Sequence, residues 1–262
     1  MNSKEEKLKL WIESRGNMAI ALSGGVDSSV LLAFAASFAP ACRLLAITLN
    51  APYIPAEEVE LARDTASRFG VDFAEIILDI PSEILKNPPL RCYLCKKALF
   101  SRIVKEAGMR GFKCVADGGN IDDMSDYRPG LRALRELGVC SPLAECGFTK
   151  EDIRSAARSF SLKNAEFPAN ACLLTRIGHG VDINKSLLSG IGDAERYLRG
   201  LGYPLVRLRT DGKNARIELE PSQVQAFAAR SDLPEIIKKI KDFGFGRVCL
   251  DLEGYFKGSM NA

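Results

Sequence analysis

What most constrains this chain is the run Ser23-Gly24-Gly25-Val26-Asp27-Ser28-Ser29, because of what flanks it. Before it stands Met18-Ala19-Ile20-Ala21-Leu22, an apolar stretch that reads as a short buried strand. After it, residues 28–38 read as a helix. Glycines let a backbone approach a phosphate closely, and a helix N-terminus offers it free N–H groups and a positive dipole. Ser23, Ser28 and Ser29 add hydroxyl donors, and Asp27 could hold the Mg²⁺ that accompanies ATP. The lysine of G-x-x-x-x-G-K-[ST] is absent, which excludes a kinase-type or GTPase-type loop. The plain alternative is a glycine turn with a serine helix cap. The full heptad between strand and helix favours phosphate binding.

The pattern continues in alternation. Residues 4–15 read as an amphipathic helix, 44–49 as a strand, 56–69 as a helix and 73–78 as a strand. Residues 93–107 read as a helix, 113–116 as a strand, and 149–160 as a helix capped by Thr149. Apolar strands alternating with helices predict an α/β fold: a parallel twisted sheet with helices on both faces. Ligands on such sheets bind beyond the carboxyl ends of the strands. After about residue 165 the pattern changes. Helices are expected at 185–201, 222–230 and 234–243. Strands are expected at 204–208, 215–219 and 247–252, with a turn at Asp211-Gly212-Lys213-Asn214. The expected division is a phosphate-loop domain over 1–165 and a smaller C-terminal α/β domain over 166–262.

A net charge of +3, with acids and bases well mixed, does not argue for a nucleic-acid partner. No apolar run approaches a membrane span, and the first fifteen residues lack a secretory core, so the expectation is a cytoplasmic protein. There its eight cysteines should be thiols. Cys42, Cys114 and Cys249 lie in apolar or strand-like runs and read as small buried hydrophobes, and Trp11 and the phenylalanines read as core.

Ser23-Gly24-Gly25-Val26-Asp27-Ser28 resembles the PP-loop ATP pyrophosphatase motif, which implies cleavage of ATP between its α and β phosphates. Further segments select a branch: Asn87-Pro88-Pro89-Leu90-Arg91-Cys92-Tyr93-Leu94-Cys95, Asp117-Gly118-Gly119-Asn120 with Asp126-Tyr127-Arg128-Pro129-Gly130, and Ala171-Cys172-Leu173-Leu174-Thr175-Arg176. The C-terminal Leu250-Asp251-Leu252-Glu253-Gly254-Tyr255 and Gly258-Ser259-Met260-Asn261 agree. Together they resemble the LarE family of sulfur-inserting enzymes of nickel-pincer nucleotide synthesis, over nearly the whole chain. The resemblance implies that a carboxylate of pyridinium-3,5-biscarboxylic acid mononucleotide is adenylated and then converted to a thiocarboxylate. Adenylation turns a poor electrophile into one with a good leaving group, which a sulfur nucleophile can attack.

Family members differ in their sulfur source. Some sacrifice one cysteine, which matches Cys172 here. Others hold a [4Fe-4S] cluster on three cysteines, which match Cys92, Cys95 and Cys172, and leave one iron open for a sulfide supplied from solution or by a donor protein. Cys92 and Cys95 could instead be half of a zinc site completed by Cys140, Cys146 or His179, a redox pair, or core residues. The resemblance also implies a hexamer, and gives the C-terminal domain over 166–262 the tasks of substrate binding and oligomerisation.

Other residues fall on family site positions. Arg207 and Arg209 alternate on a strand and share a face; the resemblance makes them the substrate-phosphate ligands, against the alternative of an exposed basic face. Arg176 and Glu195 match catalytic positions, against a surface ion pair. Asp117, Gly118 and Asn120 suit contacts to AMP and Mg²⁺ at a strand end, against a simple turn. Arg128 reads as a helper of phosphate or of the acidic loop.

Overall fold

The computed structural model describes residues 2–124, 129–167 and 172–256. Arg128 and the segment 258–261 therefore lie outside the described residues. The chain forms two compact units, one of Met1–Asp79 with Leu90–Asn170, the other of Ile80–Pro89 with Ala171–Ala262.

In the first unit the order is α1 (Ser3–Arg15), β1 (Met18–Ala21), α2 (Val26–Phe38), β2 (Leu44–Asn50), α3 (Ala56–Arg68), β3 (Asp72–Ile77), α4 (Arg91–Met109) and β4 (Cys114–Ala116). The short helices α5 (Ile121–Met124), α6 (Pro129–Glu136) and α7 (Pro142–Glu145) precede α8 (Lys150–Ser159). The four strands form one parallel sheet in the order β3-β2-β1-β4, with helices around it, as the alternation predicts. Placing β1 and β2 at its centre explains their largely apolar, buried runs, because a strand covered on both faces has no solvent side. The core gathers Leu8 and Ile12 of α1, Ile20 of β1, Leu31 and Phe34 of α2, and Ile153 and Ala157 of α8. Full burial of a leucine, isoleucine or phenylalanine is worth roughly 1.5–3 kcal/mol. Phe34 sits at the hub of an aromatic cluster, with ring centroids 5.0 Å from Phe38, 5.7 Å from Phe148 and 5.1 Å from Phe160.

The second unit holds α9 (Lys185–Gly200), β5 (Arg207–Thr210), β6 (Ala215–Glu218), α10 (Pro221–Ala228), α11 (Leu233–Asp242) and β7 (Val248–Leu250). β5 pairs antiparallel to β6, and β6 pairs parallel to β7. The expected strand 204–208 moves: pairing begins at Arg207 and runs to Thr210, so both arginines lie inside it. The turn holds as read, because the Asp211 carboxylate accepts from the N–H groups of Lys213 and Asn214 at 2.9 and 2.7 Å.

Three burial expectations need correction. Cys249 is exposed, on the edge strand β7. Phe167 and Phe256 are exposed too, at 52% and 53%. Cys42 and Cys114 are half-buried and pack against the first-unit core. Trp11 is at the rim, its indole N–H donating to Glu145 at 2.8 Å.

Candidate nucleotide and sulfur-transfer sites

In the first unit α2 begins at Val26, two residues before the expected start, with Gly25 as its N-cap. Asp27 and Ser28 therefore belong to the first helical turn. That turn's N–H groups have no carbonyl one turn back and are available to an anion. The loop before it is cross-braced. Ser28 Oγ accepts from the Ser23 N–H at 3.1 Å and donates to the Gly25 carbonyl at 3.1 Å, and Ser29 Oγ donates to the same carbonyl at 3.0 Å. Gly24 has φ +77°, and a Cβ there would stand 2.1 Å from the Glu58 carbonyl oxygen, so no other residue fits.

The segment after β4 is pressed against this loop. A Cβ on Gly118 would meet the Ser28 nitrogen at 2.6 Å. Asp117 Oδ1 accepts from Ser141 Oγ at 2.6 Å and from the Gly119 N–H at 3.1 Å. Asn120 donates to Asp27 Oδ1 at 3.1 Å, while its own Oδ1 accepts from the N–H groups of Asp122 and Asp123 at 3.0 and 3.2 Å. Ser23, Gly24, Gly25, Asp27, Ser28, Ser29, Asp117, Gly118 and Asn120 are thus brought into one constellation. A Mg²⁺ ion takes one or two carboxylates plus substrate phosphates, a demand that Asp27 suits.

Two residues that the sequence reading passed over join it. Lys150, at the start of α8, is ion-paired with Asp27 Oδ2, and its N–H donates to Asp122 at 2.7 Å. A lysine in a helix's first turn opposes the helix dipole, and that misfit was the available signal. Thr149 caps α8 with a capping box to Asp152, as expected of the cap. Asn164 is buried and donates to the Gly24 carbonyl at 2.7 Å and to Ser29 Oγ at 3.1 Å. Nothing local in the sequence marks it.

Cys92 and Cys95 lie on the first turn of α4, three residues apart and so on one face. Cys92 is exposed; Cys95 is buried with its Sγ 3.5 Å from Tyr53 Oη. Burial pushes the Cys95 thiol up, partly offset by the Tyr53 hydroxyl. Such a thiol keeps its proton until a metal takes the proton's place. Two thiols one turn apart suit an iron or zinc centre; the exposed Cys92 does not fit the core alternative, whereas the buried Cys95 also does. Among the described residues no group of three His, Cys, Asp or Glu side chains stands ready-made for a metal.

In the second unit the exposed Cys172 caps a single 3₁₀ turn, Leu173–Arg176. Its carbonyl accepts from the Thr175 N–H at 2.9 Å and from Thr175 Oγ1 at 2.8 Å. Arg176 is not a surface residue. It and Glu195 are each 1% exposed and pair through two bonds, Nε to Oε1 at 2.8 Å and Nη2 to Oε2 at 3.1 Å. Glu195 Oε1 also accepts from the Leu208 N–H at 3.0 Å, between the two strand arginines. Arg209 donates to Glu218 at 3.0 Å and to the Thr175 carbonyl at 2.5 Å. Arg207 donates to the Val206 carbonyl at 2.9 Å and lies over the Tyr255 ring. Burial and the neighbouring Arg176 hold its guanidinium below the usual arginine value. The exposed-face and surface-pair alternatives are thus overturned. Both strand arginines are buried, and Arg176, Glu195 and Arg209 tie β5 to the Cys172 turn. His179 stands apart from this chemistry, its Nδ1 3.2 Å from the Asn87 carbonyl oxygen.

Similarity to known proteins bears on this arrangement. The asparagine synthase family matches residues 7–90, the stretch that carries the phosphate loop. An uncharacterized protein from Synechocystis sp. is 38% identical over 100% of this chain and 98% of its own length. The pyridinium-3,5-bisthiocarboxylic acid mononucleotide synthase of Lactiplantibacillus plantarum is 32% identical over 99% of this chain and 94% of its own. The chain belongs to the LarE family. As a LarE-family member it is an enzyme, an ATP-using sulfurtransferase. Among solved structures, the fold is similar to that of the U34-tRNA thiolase NcsA from Methanococcus maripaludis with its [4Fe-4S] cluster. That match has a TM-score of 0.50 and 18% identity, over 76% of this chain and 72% of that one. NMN synthetase from Francisella tularensis matches with a TM-score of 0.51 and 14% identity, over 64% and 74%. At such identities these two support the α/β fold of the family and nothing finer. No helix among the described residues is long and apolar enough to cross a membrane.

Proposed function

We propose that this LarE-family enzyme adenylates a carboxylate of pyridinium-3,5-biscarboxylic acid mononucleotide with ATP and converts it to a thiocarboxylate, releasing AMP and pyrophosphate. The first-unit constellation takes the nucleotide. The 23–29 loop and the start of α2 cradle phosphate, and Asp27 with Mg²⁺ and Lys150 offsets charge on the departing pyrophosphate. Asp117, Gly118 and Asn120 hold the AMP side. In the second unit Arg207 and Arg209 receive the substrate phosphate, and Arg176 with Glu195 fixes the backbone between them.

One observation carries this reading: the exposed thiol of Cys172 sits on a turn whose backbone is hydrogen-bonded to Thr175 and, through the Thr175 carbonyl, to Arg209. Hydrogen bonds thereby join the proposed sulfur position to the proposed phosphate-binding strand, which supports the reading. The proposed ligands of a [4Fe-4S] cluster are Cys92, Cys95 and Cys172; when bound, the cluster supplies an iron that can carry an extra sulfide. The Lactiplantibacillus relative supports the substrate by its name. The family resemblance supports a homo-oligomer, a hexamer, in the cytoplasm.

Anaerobic purification with iron, sulfide and mass analysis before and after turnover tests it. The expected result is about four irons per chain, broad visible absorption and an unchanged Cys172 after many turnovers. A Cys172→Ala variant should still release pyrophosphate on the dicarboxylate mononucleotide but transfer no sulfur. Colourless, zinc-loaded, active protein would remove the cluster. Conversion of Cys172 to dehydroalanine would replace it with sacrificial donation. Thiolated tRNA as the product would remove the substrate assignment.

A further inference from the structure

The run Leu250-Asp251-Leu252-Glu253-Gly254-Tyr255 has no role in the reaction as described so far, yet the fold spends several contacts on it. After β7 the chain continues alongside β6. The Asp251 N–H donates to the Ile217 carbonyl at 2.9 Å, and the Tyr255 N–H donates to the Leu219 carbonyl at 2.7 Å. Asp251 is ion-paired with Arg216 at 3.4 Å, and its Oδ1 accepts from the Glu253 N–H at 3.0 Å. Gly254 has φ +78°, and a Cβ there would lie 2.6 Å from the Leu219 carbonyl oxygen. Only glycine lets the tail lie this close. What the close approach delivers is the half-buried Tyr255 ring, whose centroid is 5.3 Å from the Arg207 guanidinium carbon.

We propose that Tyr255 is a positioning residue for Arg207, its ring face setting the guanidinium for the substrate phosphate. This rests on the reading of Arg207 as a phosphate ligand. An arginine on a flexible stem loses side-chain freedom when it grips an anion. A ring that already holds it in place lowers that cost, and a contact through the ring face uses none of the guanidinium's in-plane N–H donors. Val206 takes one of those donors through its carbonyl, which fixes the guanidinium from a second direction. The inference assigns a task to the C-terminal run: it is a strap that places a ring, and its glycine is the hinge of that placement.

The test is steady-state pyrophosphate release by the full chain, with ATP fixed and the dicarboxylate mononucleotide varied, and then with its dephosphorylated riboside. Tyr255→Leu is expected to raise KM for the mononucleotide about five- to tenfold while kcat and KM for ATP stay within about twofold. Tyr255→Phe should restore the wild-type KM, since the ring rather than the hydroxyl carries the interaction. KM for the riboside, which has no phosphate, should not respond to Tyr255→Leu. A ring-fluorinated phenylalanine at 255 keeps shape and fold but weakens the ring face, and it should reproduce part of the KM rise even if Tyr255→Leu fails to fold. Arg207→Ala separates the two readings. If Arg207→Ala raises KM and the Tyr255 variants do not, the positioning role is wrong and the phosphate assignment stands. If Arg207→Ala leaves KM unchanged, the phosphate assignment falls and the positioning role with it.

Discussion

Arg176 and Glu195 face each other through two hydrogen bonds, at 2.8 and 3.1 Å, each side chain 1% exposed. A pair this buried is costly to assemble and far costlier to break on one side. Glu195→Ala would leave the Arg176 guanidinium without its carboxylate and the Leu208 N–H without an acceptor. The expected loss is about 3–5 kcal/mol of unfolding free energy, read by urea denaturation. Glu195→Gln keeps an acceptor and should cost less. Equal stability of wild type and Glu195→Ala would show that the pair does not hold the second unit together.

The Lys150–Asp27 ion pair makes a second prediction. Asp27→Ala should abolish pyrophosphate release. Lys150→Met should lower kcat/KM for ATP about a hundredfold, since it removes the cation paired with Asp27 beside the proposed phosphate site. Lys150→Met with unchanged kinetics would make the lysine a mere counter-ion of Asp27.

Asn164 braces the phosphate loop from behind through the Gly24 carbonyl and Ser29 Oγ. Asn164→Ala removes a buried donor and should cost about 1–3 kcal/mol of stability. Loss of the brace should also raise KM for ATP, with a smaller change for the nucleotide carboxylate. Thermal melts and the pyrophosphate assay measure the two effects separately.

Asp211 gives a pH dependence. Its carboxylate accepts from the backbone at Asn214 and Lys213, which lowers its pKa from 3.8 to about 2. Because the folded value lies below the unfolded one, its contribution is fully present above about 3.8 and lost as pH falls through about 2. Asp211→Ala should therefore melt lower than wild type at neutral pH, and the gap should close in strong acid. A gap that stays constant down to that pH would assign the effect to the backbone rather than to the charge.

How much of this was legible beforehand differs between the two units. The phosphate loop and the parallel sheet could be read because their causes are local. An apolar run, two glycines and a helix start are contiguous, and each imposes its geometry within a few residues. The LarE family likewise follows from segments quoted as they stand, and the 32% identity to a curated relative agrees. Asn164 and Lys150 were missed because their partners, Gly24 and Asp27, are more than a hundred residues away, and apart from the lysine's place in a helix's first turn nothing local marks them.

The arginines show the same division more sharply. Alternation alone placed Arg207 and Arg209 on one face, and that is all a period of two can say. The start of β5 was set by pairing with β6, not by the run's own composition, so the strand begins three residues later than the local pattern suggests. Whether those cations face water or the interior was decided by burial, with Glu218, Glu195 and Thr175 supplied from elsewhere in the chain. A sequence fixes which groups a chain carries and their local periodicity. Only tertiary packing decides which are desolvated and which partner each one meets, because those depend on contacts between residues the chain keeps far apart.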